Sequence, residues 1–249
     1  MTPNRLTVTL SLIIINVVVY LVGSVAQTPA FLDIAVPGGQ ATPTLQVMGS
    51  YSWFSCFMQG ELWRLVSYQF LHANLTHLLF NMWALYFFGR LLENIMSPRR
   101  FLAYYLTCGV AGALFSSILA GMGFYSSVAD TPQALALANQ LVIQYTEYTG
   151  MVMPWQLVPM IGASAAVYGV MVAIAFMFPH GRIHLLFPPI DLSMRTFALL
   201  IIGIAMVTIL FNLDNAGGEA GHLGGAIMGI IIMTVWKWRI ISHHRRNGL

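Results

Sequence analysis

Six stretches of this chain, at about 6–25, 72–93, 101–123, 158–178, 193–212 and 218–238, are apolar runs close to twenty residues long. That is the length a helix needs to cross the hydrocarbon of a bilayer. Inside the bilayer every backbone polar group must find its partner within the structure, so such runs form helices. Charge agrees with this. Only 8% of the 249 residues are charged and 58% are hydrophobic, whereas a water-soluble domain carries about 25% charge. A cytosolic enzyme, a secreted disulfide scaffold, a disordered chain and a nucleic-acid module are excluded. The expected fold is an all-α membrane protein, a single domain over residues 1–249 built on six transmembrane helices.

Lysine and arginine orient the bundle. With six spans, one side collects the N-terminus, the 94–100 and 179–192 connections and the C-terminus. On or near it lie Arg5, Arg90, Arg99, Arg100, Arg182, Arg195, Lys237, Arg239, Arg245 and Arg246, and the other side holds Arg64 alone. Both termini are therefore expected in the cytoplasm, with a bacterial inner membrane as the compartment. Ser24-Val25-Ala26 has the form of a signal-peptide cleavage site, but the apolar stretch before it is long for that, and it reads as a retained helix.

Two outer loops are long. In the first, about 26–71, the aromatic stretch Tyr51–Met58 is expected in the membrane interface. In the second, about 124–157, Thr131-Pro132 is a helix-start pair before a short surface helix. Cys56 and Cys108 are too few for a disulfide framework, and Cys108 reads as a small core residue.

Polar residues inside apolar runs are costly and therefore informative. His77 and Asn81 are i, i+4 at the start of the second run and share a helix face, with His72 at its mouth. The fourth run begins Pro159-Met160-Ile161-Gly162-Ala163-Ser164. A serine in a membrane helix is usually a packing residue bonded back to a carbonyl, but here Gly162, Ala165, Ala166, Gly169 and Ala173 offer a low-relief side to a neighbouring backbone. The sixth run repeats Gly217, Gly221, Gly225 and Gly229 every four residues, a small-xxx-small pattern for close helix contact, with His222 at its edge.

Spans two, four and six all start on the outer side. Ser164, His222 and His77 each fall four or five residues in, under roughly 10 Å deep at 1.5 Å per residue. If the smooth faces of spans four and six meet, the Ser164 hydroxyl comes within hydrogen-bond reach of the His222 imidazole, the minimal activated nucleophile. His77, Asn81 and the Ser164 backbone N–H are candidate oxyanion donors. The expected chemistry is acyl transfer, in particular peptide-bond hydrolysis.

These residues resemble the rhomboid intramembrane serine proteases. The family's Gly-x-Ser-Gly motif is matched by Gly162-Ala163-Ser164-Ala165, with Ser164 as nucleophile. Its glycine-spaced histidine helix is matched by Gly217, Gly221, His222, Gly225 and Gly229, with His222 as base. His72, His77 and Asn81 match its second-helix His-xxxx-His-xxx-Asn pattern, Trp63-Arg64 its loop Trp-Arg pair, and Tyr168 the aromatic that packs on the catalytic histidine. The resemblance implies a six-helix rhomboid-like bundle, single-pass or polytopic membrane proteins as substrates, and entry between spans two and five. Two positions depart from it. Ala165 stands where the family has glycine, adding a methyl beside the nucleophile, and Gly221 stands where it has alanine.

Other intramembrane chemistries lack their residues. There is no His-Glu-x-x-His, no membrane aspartate pair (Asp191 and Asp214 lie near opposite boundaries), no phosphate-cradling loop and no CxxC. No metal, cofactor or nucleic acid is expected. His180, His184, His243 and His244 read as solvated or headgroup-facing. The alternative function is a catalytically silent binder of membrane clients, and a small transporter is disfavoured because the polar groups cluster at one face. Arg64 is expected to anchor the first loop to headgroups or to loop carbonyls.

Overall fold

The computed structural model describes residues 6–25, 44–125, 153–184 and 189–246. The expected surface helix after Thr131-Pro132 lies outside them. Helix α1 is Val8–Val25. A second helical run, α2, covers 75–95 as three consecutive segments, Leu75–Ala84, a π-helical turn Leu85–Gly89, and Arg90–Ile95. Then follow α3 (Pro98–Gly121), α4 (Ser164–Met177), a small antiparallel hairpin of β1 (Arg182–His184) and β2 (Asp191–Ser193), α5 (Met194–Leu210) and α6 (Ala216–Arg246).

Three of the helices, Val8–Val25, Pro98–Gly121 and Ala216–Arg239, are long and apolar enough to cross a membrane, while Ser164–Met177 and Met194–Leu210 are apolar but shorter. The π turn divides the second run. Helical segments lie at each of the six apolar runs, but among the described residues only three helices are long and apolar enough to cross a membrane, so six crossings are not established. The clearest boundary correction is the fourth run. Residues 158–163 are not helical, and the helix begins at Ser164, because Pro159 and the positive φ of Gly162 (+128°) hold the approach in another conformation.

Helix α4 explains the arrangement of the others. Its buried residues lie on every side, from Ala165, Ala166 and Val167 through Val170 to Ala175, and a helix apolar all round must be enclosed by protein. Helices α3 and α6 enclose it most closely. Gly225 lies against the Ala165 carbonyl, and Gly229 against the Gly169 carbonyl. The glycine face is shared, since Gly221 and Gly224 approach Gly112 of α3. Conversely, Ile14, Ile15, Val18, Leu79, Phe80, Phe87, Leu199, Leu200 and Ile204 are exposed, as side chains facing lipid would be.

Polar groups fasten the ends. The four leading N–H groups of a helix need partners from outside it. At α1 the buried Glu93 carboxylate supplies two of them, accepting from Val8 N at 2.7 Å and Thr9 N at 2.9 Å, and it also accepts from the Thr9 hydroxyl at 2.7 Å. At α2 the Asn74 side chain accepts from His77 N at 2.8 Å, an N-cap. Pro98 opens α3, where its missing N–H costs nothing.

Candidate active site

The first loop acts as a bracket for the segment that carries the serine. Tyr51 and Met160 form an antiparallel bridge, with N–H to O distances of 3.0 and 2.7 Å, and Gly162 N donates to the Tyr68 carbonyl at 2.9 Å. Tyr68 in turn donates to the Gly109 carbonyl of α3 at 2.6 Å. The Tyr51 hydroxyl hydrogen-bonds Ser117 at 2.9 Å, and burial pushes its pKa up to about 12, so this anchor is neutral at any working pH. The aromatic stretch is therefore only partly interfacial. Tyr51, Phe54 and Cys56 are buried, whereas Phe57 and Met58 are exposed.

Gly162 sits where only glycine fits. Its φ of +128° disfavours L side chains, and a Cβ there would stand 2.8 Å from His77 Cε1 and 2.9 Å from His77 Nε2, with Ser164 Oγ 3.5 Å away. The His77 ring and the Ser164 hydroxyl thus both lie close to one point. Ser164 is the first residue of α4, where N–H groups lack intrahelical partners and the helix end is partially positive.

A cavity of about 330 Å³ opens at this point, and Ser164, His222, His77, Gly162, Met160 and Asn215 are among its lining residues. Tyr168, one turn after the serine, stacks on the His222 ring with centroids 4.2 Å apart and planes 13° from parallel. Among the described residues Ser164 and His222 do not hydrogen-bond each other. Catalytic pairs are often loose in the free enzyme and tighten around substrate. His222 Nδ1 instead lies 3.0 Å from Glu219 Oε2. The expectations for Ser164, His222, His77 and Gly162 therefore converge on one cavity, with Tyr168 behind it.

Two expected oxyanion-side residues are placed otherwise. The Asn81 amide donates to the carbonyl of His77 at 3.0 Å, and its side chain is not among the cavity's lining groups. It is one turn farther from the helix start than His77, and its amide turns back along its own helix. His72 is 2% exposed. It backs the site with its ring centroid 5.0 Å from that of His77, the planes 68° apart, and it lines a separate, smaller cavity with Gln46 and Leu71.

The Trp-Arg pair is structural in its contacts. Arg64 is buried; its Nη1 donates to the Ser50 carbonyl at 2.8 Å and its Nε to Glu61 Oε2 at 2.5 Å. It therefore anchors to the loop itself, the second of the two expected anchorages. Trp63 is 57% exposed and its indole N–H reaches the Met48 carbonyl at 3.4 Å.

The extra methyl at Ala165 points toward α3. A Cβ at Gly112 would be 2.5 Å from the Ala165 methyl, so the missing side chain of Gly112 makes room for it. The residue that the sequence reading passed over is Glu219. Its spacing from His222, i and i+3 on one helix, was visible in the sequence, but helical spacing alone does not say which ring nitrogen it meets.

The family model for the Rhomboid domain matches residues 59–239. The rhomboid protease GluP of Bacillus subtilis is 27% identical over 226 residues, covering 87% of this chain and 36% of its own length. The rhomboid protease AarA of Providencia stuartii is 26% identical over 233 residues, covering 94% of this chain and 73% of its own. Inactive RHOMBOID-like protein 8 of Arabidopsis thaliana is 32% identical over 106 residues, covering 39% and 30%. The chain spans about a third of the length of the Arabidopsis and Bacillus relatives.

Proposed function

The chain belongs to the rhomboid family, and on that premise we propose that it is an intramembrane serine protease that hydrolyses peptide bonds in or near the transmembrane segments of other membrane proteins. The observation that carries the reading is the shared cavity. A hydroxyl from α4, an imidazole from α6 and a second imidazole from α2 line one pocket of about 330 Å³. Three helices distant in sequence would have no packing reason to leave such a polar pocket among apolar side chains.

In this proposal His222 accepts the Ser164 proton as Oγ attacks the scissile carbonyl. The backbone N–H of Ser164, at the start of α4, and the His77 side chain stabilise the oxyanion. His222 then protonates the leaving amine, and water hydrolyses the acyl-enzyme by the same route in reverse. Six membrane crossings, with both termini cytoplasmic and the cavity near the outer face, complete the arrangement, α4 crossing as an enclosed short helix. A substrate helix must unwind before its carbonyl is accessible, so cleavage sites near small or helix-breaking residues are expected.

The second reading, a silent client binder, has Ala165 in its favour, and one relative is named as inactive. Two facts weigh against it: Gly112 accommodates the methyl of Ala165, and both Ser164 and His222 face the cavity. The test is cleavage of a membrane-spanning peptide in proteoliposomes by wild type, Ser164→Ala and His222→Ala, with labelling by a fluorophosphonate. Cleavage and labelling in wild type alone support the protease. Equal cleavage by all three, or no Ser164-dependent labelling, overturns it.

A further inference from the structure

Helix α6 brings a carboxylate to the candidate base. Glu219 is the fourth residue of α6 and His222 the seventh, so the two share a face. Glu219 Oε2 lies 3.0 Å from His222 Nδ1, and the two side chains are only 17% and 13% exposed. Tyr168 covers a face of the same ring. The imidazole is thus held on a face by one residue and on an edge by another. The groups that look at it are Glu219 on its own helix, Tyr168 and Ser164 on α4, and His77 across the cavity on α2. Among the described residues that face it, Glu219 is the only carboxylate.

A carboxylate can only accept a hydrogen bond, so this contact places the proton of neutral imidazole on Nδ1. The lone pair is then on Nε2, the nitrogen left free to take a proton from serine. We infer that Glu219 is a positioning residue that turns the Ser164–His222 pair into a serine–histidine–glutamate triad. The inference rests on the protease reading above and adds a third member to its site. In the acylation step the Ser164 Oγ–C bond forms and the carbonyl electron pair moves to oxygen. The Oγ proton passes to Nε2, and the imidazolium donates Nδ1–H to Glu219. Nε2–H then goes to the leaving amine as the C–N bond breaks. Glu219 keeps its charge throughout, holding the tautomer and stabilising the cation.

A glutamate in the first turn of a helix also interacts favourably with the helix dipole, a purely structural role. Two measurements on the whole 249-residue chain separate the roles. The first is steady-state cleavage of a membrane-spanning peptide in proteoliposomes by wild type, Ser164→Ala, Glu219→Gln and Glu219→Asp. Glutamine keeps the size but loses the charge, and its amide can donate to Nδ1 as well as accept from it, so it no longer fixes the proton there. The expected result is a fall in kcat of about 10²-fold, less than the roughly 10⁴ of a fully buried triad carboxylate, with KM within about twofold. Aspartate should restore part of the loss. The second is ¹⁵N NMR of histidine-labelled Ser164→Ala with and without Glu219→Ala, expected to show Nδ1-protonated His222 in the first and a shift of the proton to Nε2 in the second. Unchanged kcat in Glu219→Gln, or the same tautomer in both NMR samples, overturns the inference while leaving Ser164-dependent cleavage intact. If wild type shows no Ser164-dependent cleavage, the protease reading fails on its own, and the tautomer measurement still decides the Glu219 contact.

Discussion

Alanine substituted for glycine at three positions should give three different outcomes. At Gly225 a Cβ would lie 2.0 Å from the carbonyl oxygen of Ala165, 2.7 Å from its carbonyl carbon and 3.1 Å from its Cα. All three atoms are backbone, so no rotamer change relieves the clash. Moving the oxygen from 2.0 Å to the 3.4 Å of ordinary contact requires α6 to retreat from α4 by about 1.4 Å. Overpacking of a well-filled core costs about 1–3 kcal/mol, and a backbone collision belongs at the upper end. The better helix propensity of alanine, about 0.5–1 kcal/mol, offsets only part. The retreat occurs one turn below His222, so it also separates the imidazole from Ser164, and a misplacement near 1 Å costs about 10²-fold in rate. At Gly221 the nearest atom is the terminal methyl of Met160, at 2.9 Å, the end of a flexible side chain, so Gly221→Ala should be close to neutral. At Gly203 nothing lies within 4 Å, and Gly203→Ala should raise stability by about 0.5–1 kcal/mol. Thermal unfolding in detergent micelles measures the series, and peptide cleavage measures the activity arm. The expected stability order is Gly203→Ala above wild type, Gly221→Ala near wild type and Gly225→Ala well below both. If Gly225→Ala unfolds with Gly203→Ala, the close contact between α4 and α6 is not what holds the bundle, and the reasoning fails.

Three other outcomes follow from single contacts. Glu93→Ala removes the acceptor of three hydrogen bonds at the start of α1 and should cost about 3 kcal/mol; a denaturation midpoint matching wild type would show that α1 docks without it. Arg64→Ala should lower both stability, by about 2 kcal/mol, and cleavage, because the buried guanidinium ties Ser50 to Glu61 beneath the first loop. Full activity with an unchanged melting point would refute this. Gly162→Ala meets both a φ of +128° and the His77 ring at 2.8 Å, and cleavage should fall about 10²-fold, whereas Gly60→Ala, with a positive φ but open space around it, should leave cleavage near wild type.

Much of this protein is legible in its sequence, because burial in a bilayer is decided residue by residue. An apolar run is costly in water wherever it sits, so the helical runs can be read without knowing their neighbours. The four-residue glycine period on α6 and the His77/Asn81 spacing are likewise local, as helix geometry fixes which residues share a face. Ser164 and His222 stood out because polar groups in apolar runs need a reason. The start of α4, at Ser164, lies several residues later than composition predicts. Apolar composition continues through 158–163, and the bridge to Tyr51 that holds this segment out of the helix comes from a loop a hundred residues earlier. The same limit applies to the side chains. Asn81 turns to its own helix, Gly112 makes room for the methyl of Ala165, and Glu219 meets Nδ1 of His222 at 3.0 Å. Composition and period set which faces are apolar, smooth or polar. Which face meets which, and which atom of a ring is left free, depends on packing between segments far apart in the chain, and only the folded bundle decides it.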